Sequence, residues 1–185
     1  MDNNFKIAHR GFLFIDLQAS MEQVDRLGLI PYSQFITYCF ELLEELRVDF
    51  PLIETHQYAG DGVIFTWEAP NTTGQAIRFF QEYLNMLEQH RGFLEKTFNI
   101  FPYFSAAINL GDVVINHLNG FRVFYGNVIN STARLQGLCK HYDQQLILSE
   151  AVHLACPELK LDYLNRVYLK GLSTAMEIYG LPNAN

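Results

Sequence analysis

The sequence predicts an α+β domain in which helices pack on a mainly antiparallel sheet. Of its 185 residues, 49% are hydrophobic and 18% are charged, a composition typical of a globular protein large enough to bury a core. Short apolar runs bounded by Gly, Asn or Pro alternate with segments whose apolar residues recur every three or four positions. Because neither a linker nor a repeat interrupts this alternation, we expect residues 1–185 to form a single domain, without a regulatory or transmembrane domain.

The order of the expected elements narrows the fold class. These elements are a strand at Gly11–Leu17, a helix from Pro31 to before Pro51, a hairpin of Leu52–Tyr58 and Val63–Trp67, a helix at Gly74–Phe98 in which Gly92 marks a break or kink, strands at Tyr103–Asn109, Asp112–Ile115 and Phe121–Tyr125, a helix from near Gly126, and strands at Gln144–Leu148, Arg166–Lys170 and Met176–Tyr179. Alternation of this kind is typical of an α+β sandwich with a ferredoxin-like core and helices on one main face.

Charge and patterning exclude several classes of partner. The net charge of −7 has the wrong sign for a protein that binds long nucleic acids, so we expect no nucleic-acid partner. No apolar run approaches the ~18 residues of a membrane span, and the first residues lack a signal segment. We therefore expect a cytoplasmic protein without a membrane partner. The three cysteines, Cys39, Cys139 and Cys156, have no metal-site spacing and are expected to be reduced thiols in the core.

Two carboxylates occupy positions where a carboxylate is costly. Asp16 interrupts an apolar strand, and Asp61 lies in the turn Ala59–Gly62 of the expected hairpin. If the hairpin pairs beside the first strand, the two carboxylates meet, and a divalent cation such as Mg²⁺ would offset their repulsion. The alternative for Asp61 is an ordinary Asp-Gly turn residue. Asp16 has no comparable alternative, because a strand interior does not favour Asp.

Two further segments carry groups suited to phosphate. The small residues Gln18, Ala19 and Ser20 could present backbone N–H groups to phosphate at the start of a helix, although Ser20 could instead serve only as a helix cap. Asn130 and Arg134 stand four apart on a predicted helix and so share a face. Arg and Asn together suit the stabilisation of negative charge in phosphoryl transfer, but a surface Arg and a helix-start Asn explain the pair equally well.

Four segments in order resemble the catalytic domain of the class III nucleotidyl cyclases, the adenylate and guanylate cyclase family. FIDLQAS resembles the family's first metal-binding strand and YAGDGVIF its Gly-Asp hairpin. YGNVINSTARL resembles its transition-state helix, and VYLKG its late phosphate-binding lysine segment. The resemblance is collinear over nearly the whole chain.

The resemblance implies roles for individual residues and a reaction. Asp16, Asp61 and the Leu17 carbonyl would hold two Mg²⁺ or Mn²⁺ ions, Asn130 and Arg134 would act on the ribose and the transition-state phosphate, and Lys170 would contact the triphosphate. The ribose 3′-oxygen would attack the α-phosphorus of a nucleoside triphosphate, giving a 3′,5′-cyclic nucleotide and pyrophosphate. A chain with both halves of the site is expected to form a homodimer with active sites at the interface.

The residues that would read the base depart from the family pattern. Gln57 replaces the Lys of adenylate cyclases or the Glu of guanylate cyclases, and Val123 replaces an Asp, Thr or Cys. A one-residue shift in alignment would nominate His56 or Tyr58 instead of Gln57. Ser105 and Asn109 also replace the family's usual Arg and His, which affects local packing more than chemistry.

These departures leave the substrate open between two readings. The Gln57 amide can hydrogen-bond to uracil or to cytosine, depending on which way the amide is turned. Val123, with Tyr58 nearby, could narrow the pocket and so favour the smaller ring. Both features favour UTP or CTP as substrate, and such an enzyme would resemble the pyrimidine cyclases of bacterial anti-phage defence. The competing reading is an adenylate cyclase making cyclic AMP. A degenerate module that binds nucleotide without turnover is a third alternative, and the AGDG turn argues against a diguanylate cyclase.

Overall fold

The structure, a computed structural model, describes residues 5–182. Its elements in chain order are β1 (Lys6–Leu17), α1 (Ser20–Leu27), α2 (Leu29–Arg47), β2 (Glu54–Ala59), β3 (Gly62–Glu68), α3 (Thr73–Gln89), α4 (Arg91–Phe98), β4 (Phe104–Leu118), β5 (Phe121–Tyr125), α5 (Asn127–Gln136), β6 (Leu146–Ser149), α6 (Glu150–Ala155), β7 (Asp162–Val167) and β8 (Met176–Gly180). No helix within this described part is both long and apolar enough to cross a membrane.

The strands form one sheet in the order β2-β3-β1-β4-β6-β8-β7, and β5 pairs with the far end of β4. Strand β1 is central and pairs antiparallel with β3 along one edge and with β4 along the other. The β4–β6 pair is parallel, while the remaining neighbours are antiparallel. The predicted α+β class with a mainly antiparallel sheet is therefore confirmed.

Alternation along β1 divides the core between the two faces of the sheet. Leu13, Ile15 and Leu17 join the main core with residues of α2 and α3. Phe12 lies on the opposite face, in a smaller cluster with Val128 of α5. Helices thus cover both faces and not one alone, with α2 and α3 forming the larger layer and α5 packing on the opposite face. The three cysteines are buried and free, as expected.

Several boundaries differ from the sequence-based expectations for physical reasons. The two strands expected around Gly111 form one continuous strand, β4, because Gly111 pairs with Arg10 of β1 and packs on Val128. The helix expected over Gly74–Phe98 is two helices, with the break at His90 rather than Gly92. Helix α1 was not predicted because it contains no buried residue, and α6 was not predicted because it has only six residues.

A close approach of β1 and β3 requires glycine at position 11. Gly11 pairs with Trp67, which is fully buried. A Cβ at Gly11 would lie 2.1 Å from Trp67 Cε2, so the indole ring would have to move.

We expect Gly11→Ala to lower the free energy of unfolding by about 1–3 kcal/mol, the usual cost of overpacking a core. The measurement is urea denaturation followed by tryptophan fluorescence. Gly92→Ala is the matched control, because a Cβ at Gly92 meets nothing within 4 Å and alanine favours a helix. Equal stability of the Gly11→Ala protein and the native protein would contradict the described packing of Trp67.

Candidate active site

Asp16 and Asp61 meet where β1 runs alongside the β2–β3 hairpin. Asp16 pairs with Gly62, the residue after Asp61, and the Leu17 backbone N–H donates to the Asp61 carbonyl over 3.3 Å. A Cβ at Gly62 would lie only 2.8 Å from Asp16 Oδ1, so glycine leaves room for the carboxylate. Gly60 adopts φ +64°, a conformation that permits the tight turn holding Asp61.

The electrostatics of this carboxylate pair are unfavourable without a counter-charge. Burial, and then the charge of Asp61, raise the pKa of Asp16 to about 6. In residues 5–182, the ion pairs formed by Lys, Arg and His side chains include neither Asp16 nor Asp61. Two half-buried carboxylates side by side are the donor set that a hard divalent cation stabilises.

The ligand set fits Mg²⁺ or Mn²⁺ bound together with a polyphosphate. No group of three or more His, Cys, Asp or Glu side chains able to hold a metal occurs within the described part of the chain. Mg²⁺ is commonly held by one or two carboxylates, with water and substrate phosphates completing its coordination. Asp16 and Asp61 supply the two carboxylates, and Leu17, whose side chain is buried in the core, has only its backbone to offer.

The segment Gln18–Ser20 leads from Asp16 into α1. Ala19 adopts φ 56° and precedes the helix without any side-chain cap, which leaves the first N–H groups of α1 open. Ser20 is the first residue of α1 and Ala19 holds the N-cap position, so the Ser20 side chain does not cap the helix. Gln18 donates from Nε2 to Ser105 Oγ over 3.1 Å, so its side chain braces the loop against β4. The backbone N–H groups at the start of α1, rather than the Gln18 side chain, are therefore free to donate to an anion.

Two cavities adjoin the carboxylates. Asp16 and Gln18–Ser20 line a cavity of about 350 Å³, whose far wall is formed by Ser105, Gln136 and Lys140. Asp61 lines a larger cavity of about 660 Å³ between α1, α2 and the hairpin. Burial, and then the charge of Asp61, raise the pKa of Tyr32 in this larger cavity to about 12, so its hydroxyl stays protonated. Sequence reasoning missed Tyr32 and Lys140, because neither belongs to a short motif.

Asn130 and Arg134 lie exposed, four residues apart, on α5. A Cβ at Gly171 would lie 3.2 Å from Arg134 Nη1, so the guanidinium packs beside the turn that also contains Lys170. Lys170 lies in this turn, beyond the end of β7 at Val167, and not within a strand as expected. Arg134 and the Lys170 turn are thus neighbours.

Asn130, Arg134 and Lys170 do not line either cavity that contains a carboxylate. Gln136, at the end of α5, does line the cavity of Asp16, where it shares Ser105 Oγ with Gln18. Within one chain, the end of α5 therefore reaches the Asp16 cavity, whereas Asn130 and Arg134 do not line it.

The residues named for base recognition lie on two strands and do not all face one way. Gln57 is exposed on β2, directly after a bulge, and Val123 pairs with Asn116 in the β4–β5 hairpin. Tyr58 turns towards α2, where its hydroxyl donates to Glu44 Oε1 over 2.5 Å and its ring packs on Phe40. His56 instead packs edge-on against Phe124 of β5, with ring centroids 5.0 Å apart. Residues 56 and 58 therefore face opposite sides of β2.

The chain is similar in sequence to a curated adenylate cyclase. Adenylate cyclase 2 of Rhizobium meliloti (strain 1021) is 27% identical over 147 residues, a match that covers 76% of this chain and 40% of that protein. No protein-family model matches the chain.

Solved structures match the whole described fold. A bacterial light-regulated adenylyl cyclase superposes with a TM-score of 0.83 at 17% identity, covering 97% of this chain and 54% of that one. The guanylyl cyclase Cya2 superposes with a TM-score of 0.82 at 17% identity, covering 97% of this chain and 95% of that one. The chain therefore has the α+β fold of adenylyl and guanylyl cyclase catalytic domains.

Proposed function

We propose that this chain is a nucleotidyl cyclase, an enzyme that converts a nucleoside triphosphate to a 3′,5′-cyclic nucleotide and pyrophosphate. The observation that carries the proposal is the juxtaposition of Asp16 and Asp61 by the β1–β3 register, with no cationic partner among residues 5–182, in a fold shared with adenylyl and guanylyl cyclases. Similarity to a curated adenylate cyclase supports the same activity. A degenerate nucleotide-binding module has no need for such a costly pair of carboxylates.

The proposed reaction forms a bond from the ribose O3′ to the α-phosphorus and breaks the bond from the α-phosphorus to the bridging oxygen of the leaving pyrophosphate. The 3′-hydroxyl proton passes to solvent. Two Mg²⁺ or Mn²⁺ ions held by Asp16, Asp61 and the Leu17 carbonyl would neutralise the triphosphate and favour ionisation of the hydroxyl. The open N–H groups at the start of α1 face the phosphates. Arg134 stabilises charge on the phosphate, Asn130 orients the ribose and Lys170 binds the triphosphate.

We propose further that the active form is a homodimer in which each site combines the carboxylates of one protomer with α5 of its partner. Asn130, Arg134 and Lys170 line neither of the two cavities that contain the carboxylates, which supports this assembly. An apolar surface at one end of the sheet also supports it, because large apolar side chains clustered in the open favour a protein partner. This surface comprises the exposed residues Phe5, just before β1, Ile7 of β1, and Leu118, Phe121 and Tyr125 of the β4–β5 hairpin.

Removal of either carboxylate tests the activity. We expect Asp16→Asn and Asp61→Asn each to lower kcat/KM by at least about 100-fold, since each loses a cation-binding charge while keeping the side-chain shape. The assay is pyrophosphate release with MgCl₂ or MnCl₂. Asp49→Asn, a loop carboxylate beyond α2, is the control and should retain the native rate. A near-native rate for either site variant would rule out the two-cation assignment.

Subunit mixing tests the shared site. An inactive Asp16→Ala protein mixed with an inactive Arg134→Ala protein should recover up to about a quarter of native activity, because half of the randomly formed dimers contain one intact site of two. Mixing each variant with itself is the control. If mass spectrometry detects heterodimers but activity does not return, the complete site lies within one protomer.

A finer proposal concerns the base. We propose that UTP or CTP is preferred, because neither Gln57 nor Val123 is a residue that reads a purine at its position in the related cyclases. The nearest acidic side chain on β2, Glu54, is paired with Arg10 and Arg122 and so is not free to accept a hydrogen bond from guanine. Such an enzyme would be similar to the pyrimidine cyclases of bacterial anti-phage defence. The alternative is cyclic AMP synthesis, which the curated relative favours.

Turnover of the four nucleotides decides between these readings. We expect kcat/KM for the better pyrimidine nucleotide to exceed that for ATP and GTP by about tenfold or more, as a site built for one set of hydrogen bonds discriminates against another. Product identity is checked by mass spectrometry with each nucleotide supplied alone. Faster cyclisation of ATP or GTP would overturn the pyrimidine preference and leave the cyclase assignment intact.

A further inference from the structure

Strands β2 and β5 are not neighbours in the sheet, yet an ion-pair cluster joins them across one face. Glu54 of β2 accepts a hydrogen bond from Arg10 Nη2 over 3.0 Å and another from Arg122 Nη2 of β5. Arg10 is only 3% exposed, and its Nε also donates to Thr66 Oγ1 over 3.2 Å. The central strand therefore provides a fixed cation, and Glu54 bridges it to the cation on β5.

The ring of Phe124 lies beneath this cluster. The Cζ atoms of Arg10 and Arg122 lie 5.5 Å and 5.1 Å from its centroid, close enough for cation–π attraction. His56 packs on the same ring at 5.0 Å and Phe12 at 5.6 Å, both edge-on. Charged and aromatic contacts thus hold the same two strands together.

The two guanidinium groups depend on the carboxylate between them. Although burial alone would raise it, hydrogen bonds from Arg122 and Arg10 hold the pKa of Glu54 below its usual range. Without the negative charge, two cations would face each other around one aromatic ring. Arg10 cannot move away, because it is buried and hydrogen-bonded to Thr66. Repulsion between the two cations would therefore displace Arg122 and, with it, β5.

We propose that the Arg10–Glu54–Arg122 cluster sets the spacing between Gln57 and Val123, and that Glu54 is thereby a positioning residue for nucleobase selection. Glu54 and His56 lie just before Gln57 on β2, while Arg122 and Phe124 flank Val123 on β5. The contacts that join the strands are therefore one to three residues from the side chains that would read the base. This inference rests on the proposed cyclase activity.

The cluster acts on β5 more than on α5, which follows it. Helix α5 has its own anchors, because Asn109 Nδ2 donates to Ser131 Oγ over 2.9 Å in the core and Val128 packs against Gly111. The placement of Asn130 and Arg134 is therefore largely independent of Glu54. Loss of the cluster should affect KM and the choice of base more than kcat for the preferred nucleotide.

The test compares native protein, Glu54→Gln and Arg122→Gln with ATP, GTP, CTP and UTP. We expect each variant to lower the kcat/KM ratio of the preferred to the next nucleotide by about tenfold, mainly through KM. The double variant should narrow the ratio no further than one substitution does, because both remove the same link. If the Glu54→Gln protein does not fold, Arg122→Gln alone tests the proposal, because the Arg122 side chain is partly exposed and its substitution disturbs the core less.

Glu88→Gln is the matched control, because Glu88 also accepts two hydrogen bonds from a guanidinium, that of Arg91, at the distant α3–α4 junction. It should leave all four kcat/KM values unchanged. Equal loss of kcat/KM for every nucleotide in the cluster variants would mean a merely structural role and overturn the inference while the cyclase assignment stands. A native protein that cyclises none of the four nucleotides would instead overturn the proposed function and this inference with it.

Discussion

The candidate site depends on the register of β1 against β3. Pairing of Asp16 with Gly62 points the carboxylate away from the main core and places it beside Asp61. Because side chains alternate along a strand, a shift of one residue would bury Asp16 among the core side chains and expose Leu13 and Ile15. Both of these residues are at most 1% exposed, so the hydrophobic core itself enforces the register.

Two features at and near Asp16 are energetically unfavourable, and the well-packed surrounding core holds them in place. The pKa of Asp16 is raised by burial and by a like charge, and Ala19 adopts a left-handed conformation that alanine ordinarily avoids. Conflicts of this kind concentrate at functional sites, where binding of a ligand relieves the cost. A cation and a polyphosphate would relieve this one, since they supply positive charge to the carboxylates and an anion to the open start of α1.

The bulge in β2 decides which groups its side chains can reach. It lies between Thr55 and Gln57, and it allows Thr55 and Tyr58 to share the carboxylate of Glu44 on α2. Glu54 and His56 alternate with Thr55, so they project to the opposite face and meet β5. The bulge therefore places Tyr58 on the same side of β2 as Thr55, against the helical layer, while Glu54 and His56 contact the β4–β5 hairpin.

The sequence by itself determined the fold class and the main candidate residues, because these depend on local signals. An Asp in an apolar strand, an Asp in a Gly-rich turn and a four-residue spacing on a helix are each visible within a few positions. Hydrophobic periodicity reports burial against any partner, so it revealed α2, α3 and the positions of most strands along the chain. It did not reveal α1, which buries nothing.

Only the tertiary structure decided which of these side chains meet. Arg10 and Arg122 share Glu54, Gln18 and Gln136 share Ser105, and Tyr58 turns towards Glu44. These contacts join residues far apart in the chain, and their geometry follows from strand register, a bulge and the packing of α5. No local pattern encodes such pairings, because each is set by the sum of many weak burial contacts that place whole strands and helices against one another.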